Sequence, residues 1–423
     1  MKRRFGPIGP DKPSSLEIDD SMTSAPSPAP KLELLTSRQF VSWLRETGGS
    51  IALSTYHSGK VLFVGTNAGT DRISVFERSL ERPMGMAVSG NRLAIASLYQ
   101  VYTFIDALGD GETARGADAV YVPQVSHFTG DLDVHDMGYT SDGRLVFANT
   151  LFSCIAEISE THSFKPLWKP RFISRLAAED RCHLNGLAMK DGRPAYVTTV
   201  GKGDVADSWR DARVSGGVVV DVESSEIVCS GLSMPHSPRW HDGELYVLNS
   251  AQGEFGRVNL ASGRFEPIAF LPGYARGLTF FGHYAIIGLS APRSNRTFEG
   301  LPLQDRLDAQ GMSPRCGLQV VDLRTGDVAH WLTIEGIVTE LYDVIALSRR
   351  RSPSMIGFKT DEIRRVISMD GKGAPIEVAT VLGPQAIVGI PRSYDRFRPL
   401  PAQKQSASRR PQNGSHPLTW LEA

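Results

Sequence analysis

A short phrase recurs six times along the chain, and this repetition constrains the fold more than any other feature. Its copies begin with RPMG at 82–85, HDMG at 135–138, HLNG at 183–186, HSPR at 236–239, YARG at 274–277 and ELYD at 340–343. Repeated units stack around or along an axis, so one column of the repeat becomes one ring or stripe in space. The first column therefore predicts one site that gathers Arg82, His135, His183, His236, Tyr274 and Glu340.

Each copy of the phrase leads toward a tight turn and a second strand, as in an antiparallel hairpin. The turns include SDGR at 141–144, KDGR at 190–193 and HDGE at 241–244. Asp-Gly between apolar strands is a strong local hairpin signal, and further short β-branched runs follow. Four antiparallel strands per repeat predict an all-β fold, a β-propeller. The hairpin at 50–67 lacks the phrase, so the pattern leaves six and seven blades open.

The composition changes at both ends of the chain. Residues 1–33 and 395–423 have too few apolar residues to offset the entropy of ordering. We therefore predict disordered N- and C-terminal tails around a single propeller at 34–394. At the start of that domain, Thr36 or Ser37 is expected to cap a short helix whose apolar positions recur at helical spacing.

Charge and cysteine usage exclude several classes of protein. Lys and Arg total 46, as do Asp and Glu, so no net field attracts nucleic acid. No apolar run is long enough for a membrane span, and no apolar segment follows the basic N-terminus as in a secretory signal. The four cysteines lack paired spacing and are expected to be buried in a reducing compartment. These features predict a cytoplasmic protein that binds neither nucleic acid nor membrane.

Two long insertions are expected to lie over the predicted site. In a propeller, the connections before the first strand and after the second strand open on the same face. The segments 201–217 and 291–317 follow second strands and are long for hairpin connections. Long ordered loops of this kind often carry function. They would bring Trp209, Arg210, Arg213, Arg293 and Arg296 to the channel mouth.

The column carries side chains that can bind a metal. Imidazole is a common ligand of zinc, iron and copper, and three histidine ligands leave an open position for chemistry. We predict that His135, His183 and His236 bind a divalent transition metal, and that Glu340 completes the coordination sphere or acts as a base beside it. A metal held in this way polarises a carbonyl or lowers the pKa of bound water.

The remaining polar residues of the phrase suggest roles in catalysis. Tyr274 is a candidate proton donor or base, and Arg82 and Arg276 are candidates to hold a substrate carboxylate. The alternative interpretation is structural, because polar channel residues also satisfy the ends of inner strands. The same alternatives apply to four neighbours, which either support the site or satisfy the backbone. They are Asp136, Asp343, Asn149 and Asn249.

Several phrases resemble an uncharacterised family of bacterial propeller-like proteins that is known as a domain of unknown function. They are ERPMGMAV, CHLNGLA, MPHSPRWHDGELYVLNSAQGE and TELYDV, and the resemblance covers roughly 35–390. More distantly, the chain is similar to six-bladed propeller enzymes. The peptide-amidating lyases bind a metal through one histidine from each of three blades, with a tyrosine and an arginine beside it. That resemblance implies these roles for His135, His183, His236, Tyr274 and Arg82. The gluconolactonase-like group uses Glu, Asn and Asp instead.

The sequence therefore predicts a metal-dependent enzyme of the lyase or hydrolase type. Its substrate would be a small polar or anionic molecule, or a peptide, bound at the channel mouth. The alternative is a non-catalytic propeller that uses the same mouth and the two insertions to bind a protein or glycan partner. Catalysis needs ligands that converge, whereas a binding platform tolerates any channel residue, so convergence of the column favours the enzyme.

Overall fold

The computed structural model describes residues 32–67, 69–291, 299–369 and 377–380. The chain divides into two compact units, Met1–Ala379 and Thr380–Ala423, and only Thr380 of the second is described. The predicted tails at 1–33 and 395–423 lie outside the described residues, except for the last two residues of the first tail. The propeller belongs to the first unit.

Six four-stranded antiparallel sheets form the blades, which confirms the predicted propeller. Within each blade the strands follow one another from the innermost outward. Blade 1 contains Asp343–Leu347, Ser50–Ser54, Lys60–Thr66 and Ile73–Ser79. Blade 2 contains Met86–Ser89, Arg92–Ala96, Gln100–Asp106 and Ala119–Phe128. Blade 3 contains Val134–Tyr139, Leu145–Asn149, Cys154–Glu157 and Lys165–Trp168. Blade 4 contains Leu184–Lys190, Arg193–Thr199, Gly217–Asp221 and Ile227–Leu232. Blade 5 contains Pro235–His241, Glu244–Asn249, Glu254–Asn259 and Arg264–Phe270. Blade 6 contains Tyr274–Phe281, Tyr284–Ser290, Gly317–Asp322 and Val328–Glu335.

Closure of the ring decides between six and seven blades. The inner strand of blade 1 comes from the last copy of the phrase, whereas its other three strands come from the N-terminal part of the propeller. Ser54 pairs with Asp343 and Ser50 with Leu347 across this junction. The hairpin at 50–67 therefore lacks the phrase because its inner strand lies almost 300 residues further along the sequence.

Two additional strands extend the outer edges of blades. Glu33–Thr36 pairs antiparallel with the outermost strand of blade 6, and Pro353–Met355 pairs parallel with the outermost strand of blade 2. Segments from the two ends of the propeller thus cover two outer edges that would otherwise present unpaired backbone groups. Two short strands follow in the sequence, Val366–Met369 and Glu377–Thr380.

The inner strands are buried on both faces because each sheet packs between two neighbours. All five residues of Leu145–Asn149 are buried, whereas the outer strand Lys165–Trp168 is mostly exposed. Continuous apolar runs are expected for strands covered on both sides. The core consequently consists of layers between blades, for example Phe147 with Met84 and Val101 between blades 2 and 3.

One helix packs against the outside of the propeller, as predicted, but its start differs from the prediction. The helix spans Phe40–Thr47 and buries Phe40, Trp43 and Leu44 against blades 1 and 6. Thr36 belongs to a strand, and no side chain caps the helix at Gln39. The predicted cap is therefore wrong, because the strand pairing with blade 6 takes up that part of the chain. In the described ranges, the second α-helix is Pro302–Ala309, and the 3-10 helices are Tyr56–Ser58, Ser208–Ala212, Ser250–Gln252 and Asp361–Arg364.

The four cysteines are all buried and free, as expected from their spacing. They lie in the apolar layers, where burial raises the pKa of the thiols of Cys154, Cys182 and Cys316 to about 12. Thiols with raised pKa values are unreactive. Within the described ranges, no helix has both the length and the apolar character needed to cross a membrane.

Candidate functional site

Three imidazoles from consecutive blades meet at the mouth of the channel. The ring centroids of His135 and His183 are 4.8 Å apart, and those of His135 and His236 are 6.1 Å apart. His236 also lies edge-on to Tyr274, with their centroids 5.8 Å apart. All four side chains are buried. The structure therefore brings together four of the six column residues in direct ring contact.

The backbone of the phrase is irregular where it places these side chains. The pairing of first and second strands shifts register at the phrase in blades 3, 4, 5 and 6. Such bulges re-aim side chains and are common beside active sites. Arg82, Asp133, Asp180 and His183 also adopt positive φ values of 41° to 54°, which are unfavourable for residues other than glycine. Strained backbone at several neighbouring positions is typical of functional sites.

The Nδ1 atoms of His135 and His183 form hydrogen bonds with oxygen atoms of the protein. Nδ1 of His135 lies 2.9 Å from the carbonyl oxygen of Asp133 and 2.8 Å from Oγ1 of Thr150. The Thr150 hydroxyl donates its one proton to the carbonyl of Leu184, so Nδ1 of His135 must be the donor. Nδ1 of His183 likewise donates to the carboxylate of Asp180 at 2.8 Å. The partners therefore fix both ring orientations.

The third imidazole has a partner on its other nitrogen. The Asn185 side chain accepts a hydrogen bond from Thr198 through Oδ1, so its Nδ2 faces Nε2 of His236 at 3.4 Å. This assignment makes Nε2 of His236 an acceptor. Burial, and then the charge of Arg276, lowers the pKa of His236 well below its usual value. Burial likewise lowers the pKa of His135 to about 4, so both rings are neutral near pH 7.

Tyr274, Arg276 and Glu340 form the opposite side of the mouth. Nη1 of Arg276 donates to Oε1 of Glu340 at 2.6 Å, and both side chains are buried. The guanidinium carbon of Arg276 lies 5.1 Å from the ring centroid of Tyr274. Burial raises the pKa of Tyr274 to about 12, and its hydroxyl lies 3.7 Å from Sδ of Met234. The structure thus pairs Glu340, a predicted metal ligand, with a predicted substrate-binding arginine.

Arg82 lies at the edge of the same cluster. Its guanidinium donates to Asp131 and is 4.0 Å from a carboxylate oxygen of Asp133, the residue whose carbonyl holds His135. The guanidinium also lies over the ring of Tyr56, 5.4 Å from its centroid. Arg82 is therefore joined to the imidazoles through the segment that precedes blade 3.

The two insertions pack together over the mouth, as predicted from their positions. Trp209 stacks on His183 with a centroid distance of 4.2 Å, and only 3% of Trp209 is exposed. It shares an apolar cluster with Tyr274 and with Leu301, Leu303 and Leu307 of the second insertion. The guanidinium of Arg210 covers the Trp209 ring, and Arg213 contacts the backbone of Glu299. Arg293 and Arg296 lie outside the described residues.

Sequence reasoning missed Tyr342, which lies at the centre of the cluster. Its ring is 5.2 Å from that of His135 and stacks on Tyr56 at 5.1 Å with an interplanar angle of 9°. The guanidinium carbon of Arg276 is 5.1 Å from the Tyr342 centroid. The only signal in the sequence was that Tyr342 occupies the third column of the phrase, the column that holds Arg276 in the preceding copy.

A second polar layer, also missed, crosses the channel and is centred on Arg239. Arg239 of blade 5 donates to Oδ2 of Asp136 at 2.6 Å and lies 3.7 Å from Oδ1 of Asp343. It also donates to the backbone carbonyls of Leu187 and Leu278. One guanidinium therefore contacts blades 1, 3, 4 and 6 from blade 5.

The second layer shows which groups the two aspartates bind. Oδ2 of Asp136 accepts from the backbone N–H of Leu187, and Oδ2 of Asp343 accepts from that of Met86. Each carboxylate thus joins its own blade to the next one. Asn149 and Asn249 likewise accept backbone N–H groups of their loops, from Phe152 and Ser233. All four residues satisfy backbone groups, as in the structural alternative.

Asp343 gives the second layer a testable pH dependence. Burial raises the pKa of Asp343 to about 7, although the charge of Arg239 opposes this and Asp136 adds to it. An unfolded Asp titrates near about 4, so between about pH 4 and 7 the folded chain holds a proton that the unfolded chain releases. The contribution of Asp343 to the free energy of unfolding therefore falls as the pH rises through that window.

We expect Asp343→Asn to remove this contribution. The variant loses an acceptor and is less stable at low pH, but its deficit relative to the wild type should shrink as the pH rises. Urea denaturation at about pH 5 and about pH 8 measures the two free energies of unfolding. If the variant lost the same free energy of unfolding at both pH values, the raised pKa of Asp343 would be contradicted. The comparison cancels the opposing titration of His135, because both proteins contain it.

Three findings bear on the metal and on the family of the chain. Among the residues that the structure describes, no group of three or more His, Cys, Asp or Glu side chains is placed to hold a metal ion. A family model described as a domain of unknown function, DUF4915, matches residues 38–356. No curated protein matches the chain.

Three solved structures that resemble the chain have low sequence identity to it. One is a nidogen/laminin complex, at 10% identity and a TM-score of 0.44, with 71% of this chain and 99% of that chain covered. A protein of unknown function from Bacteroides caccae matches at 14% identity and a TM-score of 0.41, covering 71% and 98%. Virginiamycin B lyase from Staphylococcus aureus, in an inactive form with quinupristin, matches at 11% and 0.34, covering 72% and 99%. Values this low give no information about function.

Proposed function

The chain belongs to the DUF4915 family, and on the geometry of its site we propose that the channel mouth is a metal-dependent enzyme site of the lyase or hydrolase type. The substrate would be a small polar or anionic molecule. One observation carries the proposal, namely that the imidazoles of His135, His183 and His236 come from three consecutive blades and meet in ring contact. Structural roles at strand ends would not require three blades to supply the same side chain to one point.

The described side chains are not placed to hold a metal ion as they stand, so the proposal rests on the chemistry of the donors, which is that of ligands for a divalent transition metal. Nδ1 of His135 and Nδ1 of His183 donate to oxygens, which is the arrangement that orients histidine ligands in metal sites. In each ring the nitrogen that a metal would take is then Nε2. At His236, a metal would replace the Asn185 amide, which contacts Nε2 at the long distance of 3.4 Å. Histidine ligation does not choose between zinc, iron and copper.

The other residues of the mouth would bind and shield the substrate. A bound metal would polarise a carbonyl or lower the pKa of a bound water. Tyr274 stays protonated at neutral pH and can donate a proton or a hydrogen bond. A substrate carboxylate could bind the guanidinium of Arg276, which also binds Glu340. Arg82 would fix the position of Asp133, whose carbonyl group binds His135. Trp209 stacks on His183 and would shield it from water.

Elemental analysis of the purified protein tests the metal. We expect about one transition-metal ion per chain in the wild type and none in the His135→Ala/His183→Ala/His236→Ala variant. A His127→Ala/His162→Ala/His283→Ala variant, which removes three histidines outside the mouth, should keep the metal. Circular dichroism checks that each variant is folded, and His183→Gln replaces the triple variant if that variant does not fold. Metal retained after loss of the three imidazoles would contradict the proposal, as would its absence from wild type dialysed against zinc, iron and copper.

One surface feature favours the alternative function, in which the propeller binds a protein or glycan without catalysis. Tyr99 and Phe128 stack on blade 2 with centroids 6.4 Å apart and are 43% and 69% exposed. The backbone of Thr129 donates to that of Tyr99, so the pair lies beside the segment that leads to Asp131 and the mouth. Exposed aromatic side chains are common anchors in binding surfaces. A wild type without metal would favour this alternative.

A further inference from the structure

Tyr342 has a buried hydroxyl group without a partner. Only 5% of the residue is exposed, and within the described part of the chain its Oη has no hydrogen-bond partner. A buried hydroxyl that makes no hydrogen bond reduces the stability of the folded chain. Such groups are rare in native structures and need a specific explanation. A ligand that completes the hydrogen bond is one such explanation.

The position of Tyr342 ties this hydroxyl to the candidate site. Its ring is held between Tyr56, which stacks on it, and His135, which is tilted against it. The guanidinium of Arg276 also lies 5.1 Å from the ring centroid. The phenol is therefore fixed among the groups of the mouth and cannot turn away without disturbing them. The neighbouring phenol of Tyr274 differs, because its hydroxyl contacts Sδ of Met234.

The mouth offers hydrogen-bond acceptors on one side and donors on the other. Nε2 of His135 and Nε2 of His236 carry lone pairs, given the partners of these rings. Tyr342 and Arg276 are donors, and Arg276 adds a positive charge. A ligand that matches both sides needs a hydroxyl group to donate and a carboxylate to accept. A small hydroxycarboxylate has both groups.

We propose that the Tyr342 hydroxyl binds the carboxylate of a small hydroxycarboxylate that occupies the mouth. This inference rests on the proposed site at the mouth, but it does not require the metal. Tyr342 would then bind the substrate. The hydroxyl group of the ligand would bind the imidazoles, either directly or through a bound metal. Acetate lacks the hydroxyl and should bind more weakly than L-lactate or L-tartrate.

Isothermal titration calorimetry with L-lactate, L-tartrate and acetate tests the proposal. We expect Tyr342→Phe to weaken binding of the two hydroxycarboxylates by about 5- to 20-fold, the usual effect of one lost hydrogen bond. Tyr139→Phe is the control, because its hydroxyl is also buried but lies at the other end of an inner strand. That variant should bind as the wild type does.

Thermal unfolding separates binding from a structural role. Tyr342→Phe removes a buried hydroxyl that makes no hydrogen bond in the described structure, so it should not have a lower Tm than the wild type. A lower Tm for Tyr342→Phe would show that the hydroxyl has a structural partner and would overturn the proposal. Unchanged binding by Tyr342→Phe would also overturn it, as would a wild type that binds neither hydroxycarboxylate.

The same titrations with and without metal distinguish the two proposals. Tyr342→Phe should keep the metal content of the wild type, since it removes none of the three imidazoles. Weaker binding by Tyr342→Phe in protein that never contains metal would support the ligand and contradict the metal-dependent enzyme. Normal metal content in a wild type that binds no hydroxycarboxylate would support the metal site and contradict the proposed ligand.

Discussion

Replacing Arg239 with methionine is expected to lower the free energy of unfolding by about 3–5 kcal/mol at about pH 8. The substitution keeps most of the buried apolar stem but removes the charge that faces Asp136 and Asp343. Two carboxylates would then remain buried with backbone N–H groups as their main partners. Leaving a buried charge uncompensated is among the most destabilising effects of a single substitution.

Arg257→Met is the matched control for this prediction. Arg257 lies on the same blade and pairs with Glu266, but both side chains are well exposed. Exposed ion pairs contribute about 0–1 kcal/mol, so the control should be close to the wild type. Urea denaturation of the two variants gives the comparison. Equal losses would show that Arg239 does not join the blades across the channel. A smaller loss for Arg239→Met at about pH 5 is also expected, because Asp343 takes up a proton there.

Most of the fold could be predicted from the sequence because the information was local and repeated. Three of the six copies of the phrase lead into an Asp-Gly turn, which predicts a hairpin, and the repetition of the phrase predicts a ring. The blade count could not be predicted, because the strand that completes the hairpin at 50–67 is Asp343–Leu347. Pairing over such a separation leaves no local signal. The prediction of the helix start was wrong for a similar reason, because the strand Glu33–Thr36 pairs with a distant strand of blade 6.

The candidate site was predictable where it depended on one column of the repeat. His135, His183 and His236 share that column, and the structure places their rings in contact. The partners of these side chains could not be predicted, because they come from across the ring. Arg239 and Asp136 are 103 residues apart, and Arg276 and Glu340 are 64 residues apart. Tyr342 contacts His135 from the residue just before the inner strand of blade 1, whose partner strand is almost 300 residues away in the sequence.

The second large effect is expected at Trp209, the residue through which the two insertions meet the site. Trp209→Ala should lower the free energy of unfolding by about 3–5 kcal/mol, as for other buried large-to-small substitutions. The indole fills the space between His183 and the apolar side chains of the second insertion, Leu301, Leu303 and Leu307. Its removal leaves a cavity lined by segments from both insertions, and the cost of such a cavity adds to the lost burial of the indole.

Two further variants show whether the stack on His183 matters in addition to the packing. Trp209→Phe keeps an aromatic ring against the imidazole and should lose less stability than Trp209→Ala. Trp331→Ala is the control for a tryptophan that is 39% exposed, and it should change the free energy of unfolding by about 1 kcal/mol or less. Urea denaturation measures all three variants. If Trp209→Ala were no more destabilising than Trp331→Ala, the insertions would not be anchored at the mouth. Trp209 would then be a mobile cover over His183, and substrate access would depend on the movement of that one side chain.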